Sequence, residues 1–397
     1  MQSRREFLDM MAKGTGAVCL AGLATGAQSA ELAQAGAVAT KSGLLDVLKA
    51  VGKPAQVVTN PDGTTVLLLP YGGRVLGLFA PGSEDNFYWT HPALGAEETA
   101  RAFYASKDWH NSGGDRTWLA PEVDIFLPKY PDTTTYFQPR ELDPGNYEAV
   151  PTEGEKGMKG EKGGIELVNR LKLTLSRSGQ EVELRMAKSV GPAANPLRYE
   201  KYLDLAGVQY AGYTQHTRLE MLGDQAQDKP MVGLWNLVQM PHGGDLLIPV
   251  FHKTEPKIWF GQIGPEDLIV GDRLIRYKMR AKGEHKLGVR AVATTGRVGY
   301  LFGAGQTCSL IVRNFDVNPS GEYVDAPWKD PEDLGYSTQA CNVNSALGAF
   351  SELEYHIPAI GGKTGCFRCD DTAQVWAFRG PEDKILAAAR CLLSPEA

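Results

Sequence analysis

The chain has 397 residues, 43% hydrophobic and 22% charged, the balance of an ordinary globular protein. Its formal net charge of -6 weighs against nucleic acid as a partner, because phosphate binding needs a basic surface, and equally against an anionic membrane surface. With 45 glycines and 24 prolines, many turns between strands are expected.

The N-terminus reads Ser3-Arg4-Arg5-Glu6-Phe7-Leu8, the arginine pair and Phe-Leu of a twin-arginine export signal. Met10 to Ala27 is weakly apolar and broken by Lys13. It falls short of the roughly 20 strongly apolar residues a spanning helix needs. Ala33-Gln34-Ala35 supplies a small-residue cleavage site. The expected division is a signal peptide over residues 1–35 and one domain over 36–397, periplasmic or secreted and without a membrane anchor. Beyond the signal stand Cys308, Cys341, Cys366, Cys369 and Cys391. In an oxidising compartment one or two disulfides are possible, and Cys366-x-x-Cys369 reads as a loop held by a local or nearby one. No second ligand pair accompanies it, so it is not a zinc site.

A short helix is predicted over 43–51. Two apolar runs, 56–59 and 64–69, flank Asn60-Pro61-Asp62-Gly63, turn chemistry that makes them a hairpin. Further strands are predicted over 74–79, 165–176, 181–189, 198–206, 212–222, 232–240, 246–251 and 257–262. The series continues with 268–280, 286–294, 298–303, 308–316, 349–357 and 373–378. The charged, Gly-rich stretch 140–164 reads as an exposed loop. Pro381-Glu382-Asp383 starts a last helix through Ile385–Leu393, with acids in the first turn as the helix dipole favours. Strands do not alternate with helices and no fixed period recurs, so the expected fold is all-β, a large antiparallel β-supersandwich with a few short helices.

Three segments carry more polar and aromatic residues than a plain sandwich requires. The first, Trp109 to Glu122, contains Asp115, Arg116, Trp118 and Glu122 among glycines. Tryptophan faces stack on sugar rings while Asp, Arg and Glu bond hydroxyls, a mixture suited to a polyhydroxylated ligand. The second, Gly233 to Asp245, carries Asn236 on a strand and His242 in a turn beside Gly243-Gly244, where a histidine faces a groove. In the third, Phe350 to His356, strand alternation puts Glu352, Glu354 and His356 on one face and Leu353, Tyr355 and Ile357 on the other. Crowded carboxyls on one face raise a pKa towards that of a useful general base.

These segments resemble the galactose-mutarotase-like superfamily, whose best-known members are aldose 1-epimerases. The resemblance rests on GGRVLGLF with Asn86 and Trp89, GGDRTWLAPE, RYEKYLDLAG, GLWNLVQMPHGGDLLIP, FSELEYHIPAI and VWAF, in that order over roughly residues 55–395. It implies a supersandwich that binds a sugar or glycan end on its concave sheet, with a Glu as base and a His as acid. By position Glu354 or Glu352 is similar to the base and His242 to the acid, with Asp115 and Arg116 as sugar contacts. Trp118, Glu122, Asn236 and His356 complete the expected binding set. No metal or organic cofactor is expected. The function implied is an exported aldose-1-epimerase-like isomerase. A non-catalytic carbohydrate-binding protein and a glycoside hydrolase or lyase on the same fold are the alternatives.

Overall fold

A computed structural model describes residues 39–152, 164–223 and 229–397. The expected export signal and most of the charged part of 140–164 lie outside the described residues. Ahead of the first strand, helix α1 (Lys41–Ala50) is capped by Thr40, whose hydroxyl accepts the Gly43 N–H at 3.1 Å.

The strands follow in chain order. The first four are β1 (Gln56–Thr59), β2 (Thr65–Leu69), β3 (Arg74–Phe79) and, after helix α2 (Glu97–Ala105), β4 (Asp115–Ala120). A short helical turn, α3 (Glu122–Ile125), leads to β5 (Glu148–Pro151), β6 (Ile165–Thr174), β7 (Glu181–Pro192) and β8 (Gln209–Met221). Next come β9 (Gly233–Pro241), β10 (Asp245–Pro249), β11 (Lys257–Phe260), β12 (Leu268–Val270) and β13 (Leu274–Lys278). Then come β14 (Gly283–Arg290), β15 (Arg297–Phe302), β16 (Cys308–Asn314), β17 (Tyr336–Ser345), β18 (Gly348–His356) and β19 (Arg368–Gly380), before helix α4 (Glu382–Leu392).

These strands form two large antiparallel sheets. One runs β1-β2-β3-β4-β9-β18-β17-β14-β11, the other β12-β13-β10-β15-β16-β19-β8-β7-β6-β5. The fold is therefore the expected all-β sandwich. Its main core lies between the sheets and includes Val66, Leu119, Val238, Leu353, Ile311 and Val375. Helix α1 covers the first sheet with Leu44 and Leu48 against Leu67, Leu69 and Phe79. Helix α4 covers the second with Ile385, Ala388, Ala389 and Leu392 against Leu310, Val312 and Phe378.

Four expectations need correction. The described part of 140–164 is not simply an exposed loop: Leu142 and Asp143 are buried, and 148–151 form β5. Residues 198–206 are turns rather than a strand: Glu200 N–H bonds Leu197 C=O, Leu203 N–H bonds Glu200 C=O, and Tyr199 and Tyr202 point into solvent. Residues 268–280 are two strands, split where Gly271 N–H bonds Leu274 C=O. All five described cysteines are free, so no disulfide holds the Cys366 loop.

Candidate functional site

Register decides which side chains meet. Glu354 on β18 pairs with Leu237 on β9 and Gln339 on β17, while Glu352 pairs with Gln239 and Cys341. Cys341 pairs in turn with Lys286 on β14. Directly opposed residues share a face. Arg116 and Trp118 on β4, Trp235 and Gln239 on β9, Glu352, Glu354 and His356 on β18, and Lys286 on β14 therefore lie on the face turned away from the second sheet. Glu122 from α3 and Asp325 and Trp328 from the chain before β17 come over this face.

The carboxylates are tied in place individually. Arg116 Nη2 donates to Glu352 Oε1 at 2.8 Å, and Gln239 Nε2 donates to the same oxygen at 3.0 Å. Trp235 Nε1 donates to Glu354 Oε2 at 2.8 Å, and the Lys286 ammonium lies 3.2 Å from that oxygen. Lys286 also lies 3.5 Å from Glu122 Oε2 and over the Trp235 ring, 4.2 Å from its centroid. Trp328 Nε1 and Tyr136 Oη donate to Glu122 at 2.9 and 3.3 Å. The Glu122 backbone N–H donates to Asp325 Oδ1 at 2.8 Å, and Gln339 Nε2 donates to Asp325 Oδ2 at 3.1 Å. All four acids are buried.

Burial disfavours charge, and here several groups share the consequence. Burial pushes the Glu354 carboxyl up to about 8; Glu352 and Glu122 push the same way, and Lys286 pulls against them. Burial also raises Glu122, where Asp325 adds to it and Lys286 opposes it. Asp325 is raised by burial against the pull of Lys286. Burial by itself would lower the Lys286 ammonium, but Glu122, Glu354 and Asp325 outweigh it and keep the lysine charged. Burial and the nearby Lys286 hold His356 neutral, its pKa well below the ordinary value.

Several polar atoms here have no hydrogen-bond partner among the described residues: Glu354 Oε1, Gln239 Oε1, Arg116 Nε and Nη1, and both ring nitrogens of His356. Buried polar atoms are normally paired, and others without a partner, among them three nitrogens of Arg313, lie elsewhere in the fold.

Not every expected site residue belongs to this face. Asp115 precedes Arg116 on the same strand, and the pleat turns it inward. It forms an ion pair with Arg313 at 2.9 Å and accepts Tyr213 at 3.1 Å and Lys188 at 3.4 Å between the sheets. Asn236, beside Trp235, also faces inward and accepts Thr117 Oγ1 at 2.6 Å. His242 Nε2–H donates to Asn342 Oδ1 at 3.0 Å, and Asn342 pairs with the inward-facing Ser351. Along β9, His242 lies five residues beyond Leu237, the partner of Glu354, roughly 17 Å at strand rise. His242 therefore stands well away from Glu354 on the sheet.

Trp118 is not an exposed stacking platform. It is 3% exposed, its Nε1 donates to Asp143 Oδ2 at 3.1 Å, and its ring lies between Arg116 and Phe126. Asp143 also accepts Arg74 at 2.8 Å and Trp109 Nε1 at 3.1 Å, so one carboxylate anchors both tryptophans.

Cys341, Glu352 and Glu354 place possible metal-ligand atoms within 4.8 Å of one another. Their chemistry is ill-suited to a cation. Burial, Glu352 and Glu354 hold the Cys341 thiol protonated, while Arg116 and Lys286 already occupy the carboxylates.

Sequence reasoning missed Lys286, Asp325, Trp235, Gln239 and Cys341. Asp325 and Lys286 reach the site from far along the chain: register reveals Lys286, and bonds to Glu122 and Gln339 place Asp325.

A profile of the Family of unknown function (DUF6786) matches residues 45–393. The chain belongs to that family. No curated protein sequence matches it. Among solved structures, the chain of this DUF6786 member is similar to a galactose 1-epimerase from Lactobacillus acidophilus, with 8% identity, TM-score 0.35, 82% of this chain and 94% of that one. It is similar to a GalM/aldose epimerase homologue from C. elegans at 8% identity and TM-score 0.33, covering 83% of this chain and all of that one. It also resembles a 4-alpha-glucanotransferase from Thermococcus litoralis, at 12% identity and TM-score 0.33 over 83% of this chain. There it spans 37% of the other chain's length. Among the described residues, no helix is long and apolar enough to cross a membrane.

Proposed function

We infer that this is an exported carbohydrate-binding protein that interconverts the anomers of an aldose, with Glu354 exchanging a proton with the anomeric hydroxyl. One observation carries the reading. Glu354 is wholly buried, Trp235 and Lys286 fix one of its carboxyl oxygens, and the other is left without a partner. A group with one oxygen fixed and one free is oriented for proton transfer, and a pKa of about 8 lets it hold or release that proton near neutral pH.

Export is supported by Arg4-Arg5 and the small residues after the apolar stretch. A binding protein without catalysis is favoured by the separation of His242 from Glu354, and it differs in one outcome: ligand stabilisation without anomer exchange. Thermal unfolding against free monosaccharides and oligosaccharides finds the ligand, because a ligand of the folded state raises the melting temperature. Polarimetry on the sugars that bind then tests the reaction. Stabilisation by no sugar overturns the reading.

A further inference from the structure

Anomer exchange needs two proton-handling groups, and the geometry leaves Glu354 without the histidine partner expected for it. We propose that Glu122 is the second proton-transfer group of the site, acting opposite Glu354 with Lys286 between them; this rests on the anomer-exchange reading above.

The Lys286 ammonium contacts Glu122 Oε2 at 3.5 Å and Glu354 Oε2 at 3.2 Å, so the two carboxyls lie no further apart than these contacts laid end to end. They come from distant parts of the chain. Glu354 stands on β18, while Glu122 opens α3 directly after β4 and its position is fixed by the bond from its own N–H to Asp325. The other groups facing Glu122 are Asp325 and Tyr136, with Glu352 paired to Arg116 behind Glu354.

Charge explains why two carboxyls serve better than a carboxyl and a histidine. With one proton between Glu122 and Glu354, the triad with Lys286 is uncharged. In the forward step one carboxylate takes the proton of the anomeric hydroxyl, and the O–H electron pair becomes the C1=O bond. The C1–O5 bond breaks, its pair goes to O5, and the other carboxyl gives O5 its proton. The proton has moved from one carboxyl to the other, and the triad is uncharged again. No oxidant, metal or co-reactant is consumed. Rotation about C1–C2 and the reverse step give the other anomer. A buried site tolerates such an exchange because no net charge is created. His356, held neutral by burial and by Lys286, has no proton to give without leaving a buried anion, and it lies 3.7 Å from Asp325 rather than beside Lys286.

The test compares Glu122→Gln with wild type on a sugar the wild type turns over. Glu122→Gln should keep sugar stabilisation and lose kcat by roughly 100-fold or more, the usual worth of a positioned acid–base group. One limb of the bell-shaped pH profile should vanish while KM changes little. Trp328→Phe guards against a folding defect. It removes one N–H bond that favours the Glu122 carboxylate, so that limb should move to higher pH, and the other should move less. Wild-type kcat and both limbs intact in Glu122→Gln overturn this inference and leave the anomer-exchange reading standing. Absence of exchange by the wild type overturns both.

Discussion

Lys286 and Glu354 meet at 3.2 Å with the lysine side chain 3% exposed and the carboxylate fully enclosed. An ion pair shut away to this degree is costly to break from one side, because the surviving charge stays buried. Lys286→Met should therefore destabilise the fold by about 3–5 kcal/mol near pH 8. The loss should shrink at lower pH, where the carboxyls take up protons. Urea denaturation of both proteins across that range measures it; a loss that does not vary with pH contradicts the electrostatic account.

The sign for the wild type follows from the same group. The Glu354 carboxyl is raised from its ordinary 4.5 to about 8, so the folded state binds the proton more tightly. That stability is complete below the ordinary value and is lost as pH rises through about 8. Glu122 and Asp325 shift in the same direction. His356 works the other way below 6.5, and Lys188, lowered to about 8, works the other way above that. Between pH 6.5 and 8 the melting temperature of the wild type should fall, and Glu354→Gln should flatten the fall. An equally steep fall in the variant means that other groups set the dependence.

Trp118→Ala should cost about 3–5 kcal/mol, the range for removing a buried aromatic. The cost comes from packing against Arg116 and Phe126 and from the lost N–H bond to Asp143. Loss of sugar affinity at unchanged stability would return Trp118 to the role of an exposed platform.

His242→Ala should leave sugar binding and anomer exchange at wild-type values. His242 bonds Asn342 on the inward side of the sheet and lies far along β9 from Glu354. A 100-fold drop in kcat with unchanged folding would contradict the placement of the site.

Arg4-Arg5 changed to Lys-Lys should leave precursor in the cytoplasm, because the export pathway reads the arginine pair. Delivery of mature protein at the wild-type level by that variant would remove the case for export.

Much of the sandwich was legible because half-buried strands alternate. The hairpin at Asn60-Gly63 follows from turn chemistry, and the shared face of Glu352, Glu354 and His356 from period-two spacing. β17 escaped because Ser337, Thr338, Gln339 and Asn342 are buried polar residues on both of its faces and show no apolar rhythm. The site was legible one strand at a time but not across strands. Asp115 and Arg116 were grouped although the pleat sends them to opposite faces, and His242 was paired with Glu354 although it faces the other way. Lys286, the cation both acids touch, carried no local signal in Gly283-Glu284-His285-Lys286, because its role comes from register with Cys341 and Glu352 on other strands.

The central claim is that Glu354 moves the anomeric proton, and the most direct measurement is anomeric-proton exchange by NMR on an aldose that stabilises the wild type. Glu354→Gln keeps the size and hydrogen bonding of the side chain but removes the proton acceptor. The account predicts near-normal sugar stabilisation by this variant and exchange slowed by roughly 100-fold or more. Exchange at the wild-type rate in Glu354→Gln, or a wild type that binds sugar without speeding exchange, would contradict it.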